Sequence, residues 1–276
     1  LVVTMFVTAT ARQLGSAVPQ DLKHFVSYKS GNIIAFLDSL MNSVLYSERF
    51  DELSHQVSDG LNTSKIFAEM QPEELTEVNT FLIADRILVK WMVERLTAED
   101  TGARLDGIGI PELCEKRMKM HFGSRTKKTY QLLLSAYHLL KAANYSCPDG
   151  FRQIVKQYRE RDYQIDREYR KFYLRFDKVN FDEVEREGLR TLVENIYTNE
   201  YLAKVMSKWN EGLQEPAAFQ ELPLQLEFYE RYVRNAKERT VVIISDAMRY
   251  EVGEELFRRM LDDPKCSAKL EAQLSV

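Results

Sequence analysis

TVVIISDAMRYEVGEELFRRM, residues 240–260, stands near the C-terminal end of a chain that otherwise shows helical periodicity almost throughout. Its β-branched run VVII is typical of a strand buried on both faces, as in a parallel sheet. Ser245 and Asp246 follow this run directly. Four apolar residues then recur at a spacing of four: Met248, Val252, Leu256 and Met260. We therefore predict a strand that ends at Asp246 and a helix after it, the first two elements of an α/β unit.

The C-terminal residues alternate strictly in polarity, which is typical of a half-exposed strand. The apolar positions are Leu270, Ala272, Leu274 and Val276. Strand, helix and strand together make one unit of an α/β fold. Because two strands alone are only marginally stable, we expect residues 239–276 to be the opening of a larger α/β domain and the chain to be a fragment.

The region before this unit is predicted to be helical. The 276 residues include only 11 glycines and 7 prolines, and long stretches carry apolar residues at helical spacing. A segment rich in turn-forming residues lies at 101–111. We therefore predict a mainly α chain with a helical region at 1–100, a helical bundle or spacer at 112–237, and the truncated α/β domain after it.

One segment of the predicted bundle, residues 151–176, has an especially regular pattern. Aromatic and aliphatic residues recur at spacings of four and three, which predicts one long helix with a single packing seam. Asp162 occupies one position of that seam. A polar layer that sets the bundle register is one interpretation, and the role of Asp162 is left open. The tyrosines and arginines here also suit a nucleic-acid surface, but the interspersed acidic residues favour a solvated bundle helix.

Composition excludes several classes of protein. The formal net charge of -4 argues against a general attraction to nucleic acid or anionic membranes. Three widely spaced cysteines favour reduced thiols and a cytoplasmic location over a disulfide framework. The apolar run before Arg12 is shorter than the ~20 residues that a membrane-spanning helix needs. We therefore expect no membrane association and interpret this run as a buried core helix.

Asp246 is the candidate site residue with the strongest argument. Ligands of open α/β sheets bind outside the carboxyl ends of the strands, which is the predicted place of Asp246. A carboxylate there suits a divalent metal, and the following helix N-terminus favours a phosphate group. The alternative is that Asp246 only caps that helix by accepting from its free amides. Both interpretations stay open, since a carboxylate has two oxygens.

Arg249 is a second candidate, because a guanidinium binds phosphate through two parallel hydrogen bonds. A solvated helix face or an ion pair is the alternative for this side chain. Other catalytic motifs are absent: the sequence contains no His-Glu-x-x-His motif, no Walker A loop and no Gly-x-Ser-x-Gly motif. The four histidines are separated from one another in sequence.

The sequence VVIISDAMRYEVGEEL resembles the first strand and helix of the PglZ domain. PglZ proteins belong to BREX and related phage-defence systems, and their catalytic domain is similar to the alkaline phosphatase superfamily. Two further stretches extend the resemblance. DGFRQIVKQYRERDYQIDREYRKFY resembles the spacer that precedes the domain in larger BREX-type PglZ proteins, and VNTFLIADRIL resembles the helical region upstream.

The resemblance implies that Asp246 is a metal ligand, usually in a two-metal site of the zinc type. In the superfamily the nucleophile, a Thr or Ser, and the other Asp and His ligands come later in the sequence. No catalytic residue is therefore assigned within these 276 residues; Ser275 comes too early to be the nucleophile. We expect this chain to be inactive by itself.

The complete protein is expected to be a metal-dependent phosphatase, phosphodiesterase or nuclease. Its expected partners are other phage-defence proteins, with DNA as a further candidate. The alternative is a non-catalytic scaffold whose helical region docks such partners. A nucleophile and further metal ligands in the residues that follow would distinguish the enzyme from the scaffold.

Overall fold

The computed structural model describes residues 1–214 and 222–275, and it confirms a mainly helical chain. The α-helices are, in chain order, α1 (Val2–Leu14), α2 (Gln20–Lys23), α3 (Ser30–Met41), α4 (Ser47–Leu61), α5 (Thr63–Ala68), α6 (Leu82–Thr97), α7 (Ile110–Met118), α8 (His121–Arg125), α9 (Lys127–Leu140), α10 (Phe151–Gln157), α11 (Tyr163–Phe176), α12 (Glu183–Glu194), α13 (Ala203–Leu213) and α14 (Tyr250–Asp262).

Short turns of other helix types lie between these helices. The 3-10 turns are Gly15–Ala17, Pro72–Leu75 and Gln225–Glu227. The π-helical turns are Tyr158–Asp162, Asn195–Leu202 and Tyr229–Val233. No helix in the described ranges is both long and apolar enough to cross a membrane.

The chain divides into two compact units. Unit 1 comprises Leu1–Lys141 and Phe172–Leu192, and unit 2 comprises Ala142–Lys171 and Val193–Val276. Residues 215–221, which fall within the predicted bundle, and Val276, the last position of the predicted second strand, lie outside the described residues.

An aromatic cluster forms the core of unit 1. The ring of Phe6, on α1, lies 5.1 Å from that of Phe50 on α4 and 6.0 Å from that of Phe81. Phe67, on α5, contacts Phe81 edge-on at 6.1 Å. All four rings are buried, and burial of large apolar surface is the main favourable term in folding. The prediction of a buried core helix at the start of the chain is confirmed.

The turn-rich segment at 101–111 contains a β-hairpin. Strand β1 (Arg104–Leu105) pairs antiparallel with β2 (Ile108–Gly109). The two residues between them, Asp106 and Gly107, have φ values of 48° and 76°. Two positive φ angles suit the primed turns that join two-residue hairpins, and Asp-Gly is a preferred sequence for them. The Asp106-Gly107 dipeptide was therefore a hairpin signal present in the sequence of this segment.

A buried ion pair joins α6 to α7 in unit 1. Arg117 donates from Nε to Asp85 Oδ1 at 3.0 Å and from Nη2 to Asp85 Oδ2 at 2.7 Å. Their side chains are only 0% and 2% exposed. Arg117 Nη1 also donates to the carbonyl oxygens of Thr76 and Val78, at 3.2 and 2.8 Å. One guanidinium thus holds together α6, α7 and the turn that precedes α6.

Tyr130, on α9, completes this cluster by donating its hydroxyl to Asp85 Oδ1. Burial first, and then the negative charge of Asp85, raise the pKa of the Tyr130 hydroxyl well above its ordinary value. Burial alone would lower the pKa of Arg117, but Asp85 raises it. Asp85 is therefore bonded by donors from two different helices, which fixes the packing of α6, α7 and α9.

The close approach of α8 to the end of α7 requires glycine at position 123. A Cβ atom placed on Gly123 would lie 1.8 Å from the carbonyl oxygen of Arg117. That same carbonyl accepts a hydrogen bond from the amide of Met120 at 2.9 Å. The backbone of Gly123 thus passes close to the carbonyl group of Arg117. A residue with a Cβ atom does not fit at this position.

The helix predicted over residues 151–176 forms over its whole length but contains a π-helical turn. The turn Tyr158–Asp162 lies directly between α10 and α11. A π turn accommodates one extra residue, so the packed face shifts along the helix and Tyr163 becomes buried. The long helix is therefore confirmed, and the single packing seam is wrong in its middle.

The role of Asp162 follows from its partners in unit 2. Its Oδ2 accepts from the Tyr145 hydroxyl at 2.5 Å and from Gln157 Nε2 at 2.9 Å. Its Oδ1 accepts from Arg161 Nε at 3.1 Å. The buried carboxylate therefore ties the segment before α10 to the π turn.

The two predicted strands do not form in this structure. Residues 241–245 and 269–275 carry no strand assignment, and the only strands within the described ranges are β1 and β2. Val241, Ile243 and Ile244 are 74%, 87% and 87% exposed. A strand buried on both faces needs paired neighbours for its amides and carbonyls and covering layers for its side chains. Neither is supplied by the described residues.

We predict that Arg117→Met destabilises the chain by about 3–5 kcal/mol, because it leaves the Asp85 carboxylate buried without its cation. Lys116→Met is the matched control. Lys116 pairs with Glu77 near the surface, and loss of such a pair costs at most about 1 kcal/mol. Urea unfolding measures both variants. Equal midpoints for the two would show that the buried pair does not stabilise unit 1.

We predict that Gly123→Ala destabilises unit 1 by about 1–3 kcal/mol, since the added methyl forces the backbone apart. Gly60→Ala, in α4, is the control because nothing lies within 4 Å of the position that its methyl group would take. Alanine is about 1 kcal/mol better than glycine inside a helix, so that variant should be as stable as the original or more so. Thermal melting followed by circular dichroism separates the two, and a melting temperature unchanged in Gly123→Ala would contradict the prediction.

Candidate functional site

Asp246 lies in an exposed turn of unit 2. Its Oδ1 accepts a hydrogen bond from the amide of the next residue, Ala247, at 2.9 Å. Ala247 has a φ of 55°, in the left-handed region that non-glycine residues rarely occupy. The chain therefore turns sharply directly after the apolar run 241–244, with the second carboxylate oxygen of Asp246 available for another contact.

Helix α14 begins four residues after Asp246. Its N-cap is Arg249, whose backbone is extended and whose carbonyl accepts from the amides of Val252 and Gly253 at 3.0 and 3.1 Å. A capping side chain must reach the second or third amide of the helix from the residue just before it. The interpretation of Asp246 as the helix cap is therefore wrong.

Asp246 supplies one carboxylate that suits a divalent cation, but a metal site needs several ligands. In the part of the chain that the structure describes, no group of three or more His, Cys, Asp or Glu side chains is placed to hold a metal. These residues alone do not fit a complete zinc site, which takes four ligands. The roles of Asp246 in metal binding and of Arg249 in phosphate binding stay predictions.

Behind this turn, a carboxylate on α14 is buried. Glu251 is 3% exposed, whereas residues 241–249 are all exposed. Arg170, on α11, donates from Nε to Glu251 Oε1. Tyr158 lies on the opposite oxygen, with its hydroxyl 3.4 Å from Glu251 Oε2. Helix α14 is thus attached to the preceding helical segment through a charged residue.

Asp166, on α11, is a second carboxylate in the same cluster. It accepts from the Tyr158 hydroxyl at 2.7 Å and from the Tyr197 hydroxyl at 3.0 Å. Burial raises the pKa of Asp166, and the neighbouring Glu251 raises it further, against the opposing effect of the two tyrosine hydrogen bonds. We call Tyr158, Asp166, Arg170, Tyr197 and Glu251 the anchor cluster.

The tyrosines of this segment face other residues of unit 2. The ring of Tyr169 stacks on that of Tyr197 at 3.7 Å, with only 10° between the planes. Tyr163 accepts a hydrogen bond from Arg258 Nη2 at 2.7 Å. These contacts favour the bundle interpretation of residues 151–176 over a nucleic-acid surface.

Sequence reasoning did not find the anchor cluster. The interspersed charges of residues 151–176 indicated a solvated bundle helix, whereas Arg170 of this segment bonds Glu251, 81 positions further along the chain. No local pattern marks that pairing. The one available signal was the number of polar residues on a helix that was expected to be packed.

The apolar side of α14 remains exposed. Three residues of the helix with a spacing of four, and Met248 just before it, are each between 37% and 47% exposed: Met248, Val252, Leu256 and Met260. The exposed run 241–244 precedes them. The helix therefore buries part of its polar side within unit 2 and presents its apolar side outward.

Comparison with known proteins identifies the family of this region. Residues 228–276 match the BREX system PglZ alkaline phosphatase-like domain. The Alkaline phosphatase-like protein PglZ of Bacillus cereus (strain H3081.97) is 27% identical over 291 residues, which cover 100% of this chain and 33% of that protein. The Alkaline phosphatase-like protein BrxZ of Escherichia coli O9:H4 (strain HS) is 28% identical over 262 residues, which cover 88% of this chain and 30% of that protein.

No solved structure gives a significant match to the chain. The chain spans about a third of the length of the curated relatives that it matches. The match to the domain begins at residue 228 and includes the apolar run 241–244, Asp246 and all of α14. The C-terminal end of the chain is thus similar to the PglZ alkaline phosphatase-like domain of BREX systems.

Proposed function

We propose that this chain is part of a metal-dependent phosphoric-ester hydrolase that acts in defence against phage. The observation that carries the proposal is the family match over residues 228–276, which contains the Asp246 turn. Both curated relatives are named alkaline phosphatase-like, and their alignments cover 100% and 88% of this chain. Residues 239–276 would form the first strand, helix and second strand of the α/β domain in the complete protein.

The exposed apolar surfaces of unit 2 support this α/β arrangement. Residues 241–244 and one side of α14 are exposed here. In α/β folds a central strand and the inward side of its helix are both covered by the sheet. Further strands of the complete domain would bury both surfaces and pair the backbone of 241–244.

Asp246 would supply one ligand of the metal, for which we propose zinc. A metal at such a site polarises the phosphoryl oxygen and lowers the pKa of the attacking group. This chain's own contribution is to hold the Asp246 carboxylate at the strand end. Arg249 would bind phosphate oxygens from the start of α14. Because Asp246 is the one metal ligand proposed here, the chain alone is expected to be inactive.

The substrate class is a phosphomonoester, a phosphodiester or a nucleic acid. We propose other BREX proteins as partners, since the family match is to a BREX-system domain, and DNA as a further partner. We also propose a cytoplasmic location, because the three cysteines are free thiols.

A non-catalytic scaffold is the second candidate function. One observation favours it: most of the described chain is helical and lies outside the domain match at residues 228–276. In that case the helical units would dock other defence proteins or DNA, and Asp246 would be an ordinary surface carboxylate. Metal content and turnover of the full-length protein distinguish the two.

We predict that Asp246→Ala in the full-length protein lowers hydrolysis by about 100-fold or more and reduces bound zinc, because a direct metal ligand is lost. Aryl phosphomonoester, aryl phosphodiester and plasmid DNA are assayed with added zinc or manganese, and bound metal is measured by mass spectrometry. The preferred substrate would assign the class of enzyme.

Asp262→Ala is the matched control, since Asp262 is an exposed carboxylate at the far end of the same helix. It should keep both metal and activity. A full-length protein with neither turnover nor bound metal would refute the enzyme and support the scaffold.

A further inference from the structure

The start of α14 is the first anchored point after the exposed Asp246 turn. Residues 241–249 are exposed, and burial begins at Glu251, five residues beyond Asp246. A carboxylate loses its hydration when it is buried and needs replacement donors. Arg170 Nε supplies one such donor to Glu251 Oε1. Glu251 therefore cannot leave this position without separating a buried ion pair.

The hydrogen bonds around Tyr158 extend the anchorage to other helices. Its hydroxyl carries a single proton and lies nearer to Asp166, at 2.7 Å, than to Glu251, at 3.4 Å. Tyr197, on the π-helical turn Asn195–Leu202, donates to the other oxygen of Asp166 at 3.0 Å. Glu251 is thus held beside a network whose donors come from three separate segments of unit 2.

Tyr250, the first residue of α14, makes an independent contact with the same segment. Its hydroxyl donates to the carbonyl oxygen of Arg159 at 3.2 Å. Its ring lies 5.5 Å from that of Tyr163, edge-on, and 5.9 Å from that of Tyr158. Arg159 lies in the π-helical turn Tyr158–Asp162. The first turn of α14 is therefore docked by an ion pair, a hydrogen bond and two ring contacts.

Glu255, one turn further along the same side of α14, shows that this docking is specific to Glu251. Glu255 accepts from Arg259 of the same helix at 3.0 Å, and the two side chains are 37% and 75% exposed. The hydrogen bond from Arg259 first, and then the charges of Lys171 and Arg167, lower the pKa of Glu255. Hence Glu251 is a buried carboxylate whose ion-pair partner lies on α11, whereas Glu255 is half-buried and its ion-pair partner lies on α14 itself.

We propose that Glu251 is a positioning residue, which docks the first helix of the PglZ domain onto the α10–α11 spacer and so sets the place of the Asp246 turn. The docking follows from the contacts of unit 2 and does not depend on catalysis. Its effect on the site rests on the proposed function of Asp246. The α10–α11 spacer then fixes the position of the catalytic domain, and does more than link that domain to the preceding helices.

The docking is tested on this chain by amide hydrogen exchange in α14. Glu251→Gln keeps the shape of the side chain but removes its charge, so exchange in residues 250–256 should become roughly tenfold faster or more. Glu255→Gln makes the same chemical change on the same helix and should change exchange far less. Equal exchange in the two variants would overturn the docking.

A double variant guards against the possibility that Glu251→Gln unfolds unit 2 as a whole. Arg170→Met combined with Glu251→Met replaces the pair with apolar side chains of similar length, which is often tolerated when both charges are removed. We expect the double variant to exchange more slowly than Arg170→Met alone. Additive effects of the two single changes would show that the residues do not act as a pair.

The positioning role is tested in the full-length protein. Glu251→Gln should weaken zinc retention by about 10- to 100-fold, as loss of outer-shell support does in metal sites, and added zinc should restore turnover. Glu255→Gln should behave like the unchanged protein. Faster exchange with unchanged zinc retention would overturn the positioning role and leave the docking. If Asp246→Ala also leaves metal binding unchanged, the proposed function itself is refuted, and the exchange result still decides the docking.

Discussion

A carboxylate removed from water needs replacement donors and, where it stays charged, a cation, and each unit of this protein contains a buried carboxylate paired with an arginine. In unit 1 Asp85 is bonded by Arg117 and Tyr130, which brings α6, α7 and α9 together. In unit 2 Glu251 is bonded by Arg170 and joins α14 to α11. An unpaired buried charge is far more costly than a paired one, so loss of either arginine should destabilise its unit.

The contact of Glu251 explains why α14 is oriented with its apolar side outward. A helix in a soluble protein ordinarily buries its apolar stripe, but here the paired carboxylate and Tyr250 face the rest of unit 2. The apolar stripe is left exposed. Helix α14 thus meets α11 and the π-helical turn Tyr158–Asp162 through an ion pair, a hydrogen bond and the ring contacts of Tyr250.

The structure and the family match bear on different parts of the proposed function. Residues 228–276 match the BREX system PglZ alkaline phosphatase-like domain. The geometry shows the local chemistry of Asp246, whose carboxylate accepts from the amide of Ala247 in a sharp turn and does not cap α14. Metal binding by Asp246 stays a prediction.

The sequence by itself determined the helical class and the buried helix at the start of the chain, because apolar spacing is a local property. It also contained the hairpin signal at Asp106 and Gly107, whereas the α/β unit and the role of Asp246 stay predictions. Only the tertiary structure decided the π turn that ends at Asp162, the unpaired state of residues 241–244, and the partners of Arg117 and Glu251. Those features depend on residues 32 and 81 positions apart, or on strand neighbours, and no local pattern encodes which distant groups meet when water is excluded.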